Sequence, residues 1–397
     1  MSFFKDLSPS AFTAGFVAVL VGFTSSVAII FQAALAFNAT PAQIASWMWA
    51  LGIGMGLCTV LPSLYYKKPI MVAWSTPGAA VLATAGVAGG FSMAEAVGAF
   101  IVSAALITLF GITGWFEKLM NRIPVAIASA LLAGVLARFG MSGFTAAQTA
   151  LPLVLLMLAT YLAGRRWLPR YAVVLTLLGG VAYAALSGQM AWASVSLTLA
   201  VPVFVMPQFT LPAIVSLAIP LFVVTMASQN LPGVAAIRAT GYEASIPVSK
   251  VITLTGVATL LLAPFGAFAL NLSAITAAIC MGKEAHPDPE KRYTAAVSCG
   301  LMYVVIGIFG AAVTSLLAAF PKELVAAIAG LALLGTIGSG LAAAVKDESH
   351  REAALITFLV TLSGVVIAGI GSAFWGVVAG ALALFVQQYG RTKTSHT

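Results

Sequence analysis

The chain has 397 residues, of which 61% are hydrophobic and 8% are charged, and its mean hydropathy is +1.06. A soluble domain carries roughly 25% charged residues, so this composition excludes an ordinary water-soluble fold and places most of the chain in a lipid bilayer. The net charge of +8 comes from basic residues dispersed between apolar runs, which indicates membrane-surface loops and argues against a nucleic-acid partner. The three cysteines are isolated in apolar runs and predict neither a disulfide nor a metal site.

Fourteen apolar segments result when the chain is divided at its charges, prolines and glycines, and most are near the roughly 20 residues that a spanning helix needs. The predicted fold is therefore an all-α polytopic membrane protein. Its segments are 11–37, 41–61, 70–89, 93–117, 122–140, 145–164, 170–188, 211–237, 246–263, 266–281, 289–318, 321–343, 350–369 and 373–390. The third and tenth are short and broken. Ser194–Thr210 follows the seventh and alternates apolar with polar residues, which predicts an extended external connection.

The lysines and arginines predict how these segments are oriented. With the N-terminus in the cytoplasm, only Arg138 and Lys322 of the 19 basic residues fall outside, which leaves 17 inside. Fourteen spans then place both termini in the cytoplasm. Segments 1–7 and 8–14 have similar lengths in the same order, and seven is odd. The sequence therefore predicts two inverted repeats, residues 1–190 and 211–397.

The third segment is predicted to be a short strand followed by a half-helix. Ile70–Trp74 is apolar with no helical break, and the helix after it has Ser75 or Thr76 as its N-cap. Pro77 and Gly78 then occupy the first turn, which suits proline. The alternative is that these four residues only kink an ordinary spanning helix.

The tenth segment has the same plan. Ala267–Leu270 forms the strand-like lead, and Asn271 or Ser273 caps a half-helix that contains Ala274 and Thr276. In an inverted pair the two half-helices start near the bilayer midplane and point at each other. Their free N–H groups and positive dipole ends favour an anion, especially a carboxylate or phosphate.

Polar residues elsewhere in the spans extend this candidate site. Gln229 and Asn230 lie in the middle of the apolar eighth segment, before Pro232. Amides in hydrocarbon need partners and often face a cavity, although a helix–helix hydrogen bond is the alternative. Ser26 occupies the equivalent place in the first segment, and Trp74 precedes the first break as a candidate wall for an apolar ligand.

The acidic residues all lie at segment ends or in loops. A cation transporter would be expected to have a carboxylate inside a span, so their placement favours an anionic substrate. Paired acid–base groups or metal ligands within the spans are also missing from the sequence, so we expect neither an enzyme nor a cofactor. The alternatives left open are an anion channel and a carrier of another small organic anion or nucleobase.

Four stretches of the chain resemble the benzoate/proton symporter (BenE) family. They are AWSTPGAA at 73–80, PLFVVTMASQNLPGVAAIRATGY at 220–242, AITAAIC at 274–280 with EAHPD at 284–288, and GIGSAFWG at 369–376. The resemblance implies an inner-membrane carrier that imports an aromatic carboxylate such as benzoate together with protons. The architecture would be similar to that of nucleobase and sulfate/bicarbonate carriers.

That architecture implies a core domain, about 8–120 plus 211–318, moving against a gate domain, about 121–190 plus 319–390. In the nucleobase carriers the eighth helix supplies an acidic residue to the substrate. This chain has Ala227-Ser228-Gln229-Asn230 there, so that role does not carry over. The expected partners are a small organic anion, protons and the lipid bilayer. A homodimer is also compatible with the architecture, although Gly52–Gly56 serves packing within one chain equally well.

Overall fold

The computed structural model describes residues 3–24, 26–116, 124–168, 172–242, 244–273, 275–283, 285–365, 367 and 372–388. Within them the chain is mostly helical, with one two-stranded sheet. The helices, numbered in chain order, are α1 (Phe3–Asp6), α2 (Pro9–Thr24), α3 (Val27–Leu35), α4 (Pro41–Tyr66), α5 (Thr76–Gly89), α6 (Met93–Thr113), α7 (Val125–Thr145), α8 (Ala147–Trp167), α9 (Ala172–Leu186), α10 (211–239), α11 (Val248–Leu262), α12 (Ile275–Cys280), α13 (Tyr293–Ile308), α14 (Gly310–Ala318), α15 (Lys322–Val345), α16 (Arg351–Ser363) and α17 (Ser372–Gln388). The strands are β1 (Val72–Trp74) and β2 (Leu270–Leu272).

Seven of the described helices are long and apolar enough to cross a membrane: α4, α6, α7, α8, α10, α11 with its last 3-10 turn, and α15. The bent pair Pro289–Ile308 and Gly310–Ala318, which turns by 68°, makes an eighth if it counts as one span. Other apolar helices are shorter than a bilayer is thick, α5 and α9 among them. The chain is thus a multi-pass membrane protein, and the number fourteen stays a prediction.

Local sequence explains where several helices begin and end. Thr40 with Gln43 and Ser92 with Glu95 form capping boxes at the starts of α4 and α6, in which each side chain bonds the other residue's backbone N–H. Gly114 ends α6 with φ of 65°, a left-handed conformation that glycine adopts without strain.

The helices pack in two sets. One set joins α2, α4, α6, α11, α13 and α14 through the pairs α4–α13, α6–α11, α2–α13 and α4–α14. The other joins α7, α8, α9, α15, α16 and α17 through α7–α15, α7–α16, α16–α17 and α8–α9. Glycines allow close backbone contact in the first set, because a Cβ on Gly52 would stand 2.5 Å from the Gly307 Cα. Gly56 packs equally closely on the Gly300 carbonyl. This face therefore serves packing within the chain.

Residues 195–210 form an extended connection without regular structure, as the sequence predicts for this stretch. Its backbone N–H groups bond successive elements of the first set: Ala200 donates to the Ile308 carbonyl, Val205 to that of Pro264, and Gln208 to that of Ala94. A Cβ on Gly98 would lie 2.0 Å from the Gln208 carbonyl oxygen, so only glycine lets the connection pass there.

Candidate functional site

The sheet that lies at the centre of the candidate site joins two parts of the chain about two hundred residues apart. β1 and β2 are antiparallel, with Val72 opposite Leu272 and Trp74 opposite Leu270. Backbone bonds continue on both sides, from Ser75 N–H to the Ala269 carbonyl and from Ser273 N–H to the Met71 carbonyl, each 3.0 Å. The sheet brings the starts of α5 and α12 next to each other.

Side chains from neighbouring helices bond the strand N–H groups that the two-stranded sheet leaves open. Thr59 Oγ1 accepts from Val72 N–H at 3.1 Å, and Thr259 Oγ1 accepts from Leu270 N–H at 3.2 Å. Asn230 Oδ1 accepts from Leu272 N–H at 2.9 Å. An unpaired amide in this buried position would be strongly unfavourable, so these three side chains hold the sheet together.

The first turn of α5 is almost fully hydrogen-bonded. Ser75 is the N-cap, and its Oγ accepts from Gly78 N–H at 3.0 Å and from the Thr225 hydroxyl at 2.9 Å. Pro77 has no N–H, so the Thr76 N–H is what this turn leaves for a ligand. The start of a half-helix is expected to leave several free N–H groups here. The capping serine and the proline reduce that number, but the positive end of the helix dipole remains.

A cavity of about 340 Å³ opens at the starts of α5 and α12. That volume lies within the usual range for small-ligand sites, roughly 300–1,000 Å³. The wall of the cavity contains residues from both helix sets. The described residues that line the cavity are Gly22, Ser26, Met55, Ala73, Trp74, Thr76, Pro77, Leu132, Leu136, Ser228, Gln229, Pro232, Ser273, Thr276, Tyr303, Leu333, Gly335 and Ser339. No charged residue is among these described lining residues, and the wall is mainly apolar.

Polar groups reach this wall from several elements. Gln229 belongs to a π-helical turn of α10, Met226–Asn230, which turns its amide toward the cavity; such turns recur at functional sites. That amide bonds no other residue that the structure describes. On the opposite side the Thr276 hydroxyl donates to Ser273 Oγ at 2.7 Å, which leaves the Ser273 hydroxyl hydrogen to point elsewhere.

Trp74 is one of two aromatic residues in the described wall, with Tyr303, and it is held in a fixed orientation. Its Nε1 donates to Ser26 Oγ at 2.7 Å, and Ser26 Oγ donates in turn to the Gly22 carbonyl at 2.9 Å. The Phe23 ring packs against it with centroids 5.5 Å apart. Only 4% of Trp74 is exposed, so the face it shows to the cavity is a rigid apolar surface.

Seven of the predicted site residues lie on this wall: Ser26, Trp74, Thr76, Pro77, Gln229, Ser273 and Thr276. Four others lie behind it, namely Ser75, Gly78, Asn230 and Asn271, all buried. Ser75 and Asn230 bond backbone groups there, and Asn271 donates weakly to the Ala269 carbonyl at 3.3 Å while its Oδ1 has no partner in the described part of the chain. A contact of Asn230 or Asn271 with a ligand stays a prediction, and in this structure Asn230 supports the sheet. Ala274 lies outside the described residues.

Sequence reasoning missed the wall residues that come from α7, α13 and α15, which include Leu132, Tyr303 and Ser339. They sit in unbroken apolar runs without a local signal. Ser228 also lines the cavity, and its place beside Gln229 in a polar run could have indicated it.

A second chamber of about 260 Å³ continues the cavity in one direction. Leu132, Ser228, Pro232 and Ser339 line both spaces. The second chamber extends along α7 to Val125, at the start of that helix. The cavity is thus connected toward the α7 N-terminal side of the molecule.

The ionisable groups that interact most strongly lie in the loops, away from the cavity. Between α15 and α16, hydrogen bonds from Ser349 and then His350 lower the pKa of Asp347 to about 2. Lys68 and Glu290 form an ion pair at 2.6 Å between two other loops. The described residues contain no group of three or more His, Cys, Asp or Glu side chains that could hold a metal ion.

The chain is similar to known transport proteins along almost its whole length. A model of the family BenE, benzoate membrane transport protein, matches residues 5–386. The inner membrane protein YdcO of Escherichia coli (strain K12) is 46% identical over 381 residues, 96% of each chain. The benzoate membrane transport protein of Acinetobacter baylyi is 41% identical over 382 residues, again 96% of each. The solved transmembrane domain of a cyanobacterium bicarbonate transporter, BicA, has a TM-score of 0.60 at 16% identity and 95% coverage of both chains, which shows a likeness of fold.

Proposed function

The chain belongs to the benzoate membrane transport protein family, as its motifs predict, and on that premise we propose that it is a secondary carrier that imports an aromatic carboxylate such as benzoate. Membership of a transport family also confirms the expectation that the chain is not an enzyme. The observation that carries the proposal is the central cavity, whose described lining has no charged residue and holds a few polar groups beside the start of α5.

In the proposed pose the carboxylate lies between Thr76 and the Ser273–Thr276 hydroxyl pair. The α5 dipole contributes about 1 kcal/mol to an anion there, because the site is partly buried. α12 is only six residues long, so its hydroxyls rather than its dipole bind the anion. The Gln229 amide donates from the third side. The ring of the substrate packs on Trp74 and on leucines of α7 and α15. The negative charge of the substrate is held by neutral hydrogen-bond donors, and the described lining has no carboxylate that would repel it.

Transport follows if the two helix sets move relative to each other. We identify the first set with the core domain and the second with the gate domain, since the cavity wall combines residues from both. The two inverted repeats of seven segments and the cytoplasmic termini belong to the same proposal. With that orientation the second chamber leads to the cytoplasm, and the described conformation is open inward.

Proton coupling is part of the proposal, and the cavity suggests a route for it. The described wall has no carboxyl or imidazole side chain. The hydrogen-bond donors and the α5 dipole favour the bound anion, whereas loss of those contacts in apolar surroundings raises the carboxyl pKa, so the substrate itself would take up the proton during translocation. Uptake would then be electroneutral. A homodimer in the inner membrane is compatible with this scheme.

Uptake of labelled benzoate into proteoliposomes tests the proposal. We expect saturable uptake that an inward proton gradient drives above the equilibrium level and that a membrane potential alone does not drive. Absence of saturable uptake would refute benzoate as substrate, and uptake that survives collapse of the gradient would refute the coupling. Non-saturating flux with single-channel currents would point to an anion channel instead.

A further inference from the structure

A third cavity of about 470 Å³ lies apart from the central one, between α3, α5 and α7. Leu35, Val87 and several alanines form its apolar part. Its polar lining comes from Gln32, Thr84, Arg138 and Ser142. Arg138 is the one charged residue in this described lining, so the cavity has positive charge without a carboxylate beside it.

The Arg138 guanidinium is fixed in place but is not fully hydrogen-bonded. It lies on the end of α16, because a Cβ added to Gly364 would stand 1.9 Å from Nη1. Gly364 caps that helix with φ of 69°, so glycine is favoured there both by this left-handed conformation and by the closeness of Arg138. Nη1 is buried and has no hydrogen-bond partner among the described residues. Nη1 has almost no accessible surface, so an acceptor in the cavity would bond other N–H groups of the guanidinium.

The three cavities follow one another along α7. Ser129 lines the second chamber, Leu132 and Leu136 line the central cavity, and Arg138 and Ser142 line the third. At 1.5 Å per residue, Arg138 lies roughly 9 Å beyond Leu132, on the side away from the second chamber. α5 runs the same way, from Thr76 at the central cavity to Val87 at the third. The third cavity therefore faces the opposite side of the membrane from the second chamber.

We propose that the third cavity is a docking site for aromatic carboxylates, occupied before the substrate reaches the central cavity. The carboxylate accepts from the Arg138 guanidinium and from the Gln32 amide, and the ring packs on Leu35 and Val87. A guanidinium suits this role because its planar N–H groups match a carboxylate. The choice of ligand rests on the proposed function, since the cavity alone specifies only an amphipathic anion.

Protection of an introduced cysteine measures occupancy of this site separately from transport. Val87 is 75% exposed, whereas Cys58, Cys280 and Cys299 are buried, so Val87→Cys gives one accessible thiol for a membrane-impermeant maleimide. In right-side-out vesicles we expect benzoate at millimolar concentration to slow labelling of Val87→Cys by about threefold or more. Cyclohexylmethanol, which is apolar but uncharged, should have no effect.

Four second substitutions, each made in the Val87→Cys chain, separate the possible causes of protection. Arg138→Gln should abolish it, and Arg138→Lys should keep most of it. Lys322→Gln is the matched control, because Lys322 is the other basic residue assigned to the outer side, and it should leave protection unchanged. Gln229→Ala alters the central cavity only and should also leave it unchanged.

The results that overturn the docking site are specific. Protection that persists in folded Arg138→Gln, or that disappears in Gln229→Ala, would show that the central cavity alone binds benzoate. Absence of protection in Val87→Cys itself would do the same, as would labelling restricted to inside-out vesicles. Protection without benzoate uptake would leave the docking site standing and refute the proposed transport function, so the two failures are distinguishable.

Discussion

Two adjacent amides, Gln229 and Asn230, provide a sharp test of the central cavity because the structure gives them opposite roles. Gln229 faces the cavity and bonds no described residue, whereas Asn230 is fully buried and accepts from the Leu272 N–H at 2.9 Å. Gln229→Ala should therefore weaken substrate binding without unfolding the protein. Asn230→Ala should mainly destabilise the protein.

The expected magnitudes follow from these contacts. A hydrogen bond to a charged group is worth about 1.5–3 kcal/mol, so Gln229→Ala should raise the benzoate Kd roughly tenfold to a hundredfold. Asn230→Ala leaves the Leu272 N–H buried and unpaired, which costs about 1–3 kcal/mol of stability and lowers the melting temperature by several degrees.

Both quantities are measurable on purified protein in detergent. Isothermal titration with benzoate gives Kd, and thermal unfolding followed by intrinsic fluorescence gives the melting temperature. Gln229→Ala should melt within about a degree of the parent protein. The reasoning is refuted if Gln229→Ala binds benzoate normally, or if Asn230→Ala keeps its stability while losing affinity.

Three further predictions concern the start of α5, the tryptophan wall and the loop acid. Ser75→Ala removes the acceptor of Gly78 N–H and should lower stability by about 1 kcal/mol or more in thermal unfolding, a result that an unchanged melting curve would contradict. Ser26→Ala leaves the indole N–H of Trp74 without its acceptor and should destabilise the protein by roughly 1–3 kcal/mol, whereas Trp74→Phe keeps a ring in the wall and should change benzoate Kd less than Gln229→Ala does. Asp347, whose pKa is lowered to about 2, adds stability above about pH 4 and loses it only as the pH falls toward 2, so Asp347→Asn should leave the pH profile of uptake between pH 5 and 8 unchanged.

The break in the helix at Trp74–Gly78 could be predicted from the sequence, because proline, glycine and capping residues determine the backbone conformation through neighbouring residues alone. Ser75 and Thr76 were both predicted as possible N-caps, and Ser75 takes that role. The strand-like lead of the tenth segment was predicted at Ala267–Leu270, whereas the strand lies at Leu270–Leu272, where it pairs with β1.

The residues that line the central cavity were much less predictable from the sequence. Asn230 and Asn271 are polar residues in apolar runs, as Gln229 is, and no local pattern distinguishes the amide that faces the cavity from the two that are buried behind it. Gln229 and Asn230 lie in a π-helical turn, which sets the directions of their side chains. Such a turn contains one more residue than an α-helical turn, so the 3.6-residue period does not predict which way these side chains point. The leucines of α7 and α15 reach the cavity only through tertiary packing.

The most direct test of the account is to locate the substrate in a crystal of the protein grown with 4-iodobenzoate. The anomalous signal of iodine marks the ring position, and the density of the carboxylate marks the other end. We expect the carboxylate within hydrogen-bond distance of Thr76 and Ser273, and the iodine on the side of Leu132 and Leu333. Iodine sites confined to lipid-facing surfaces, with the central cavity empty at saturating ligand, would contradict the assignment of the cavity as the transport site.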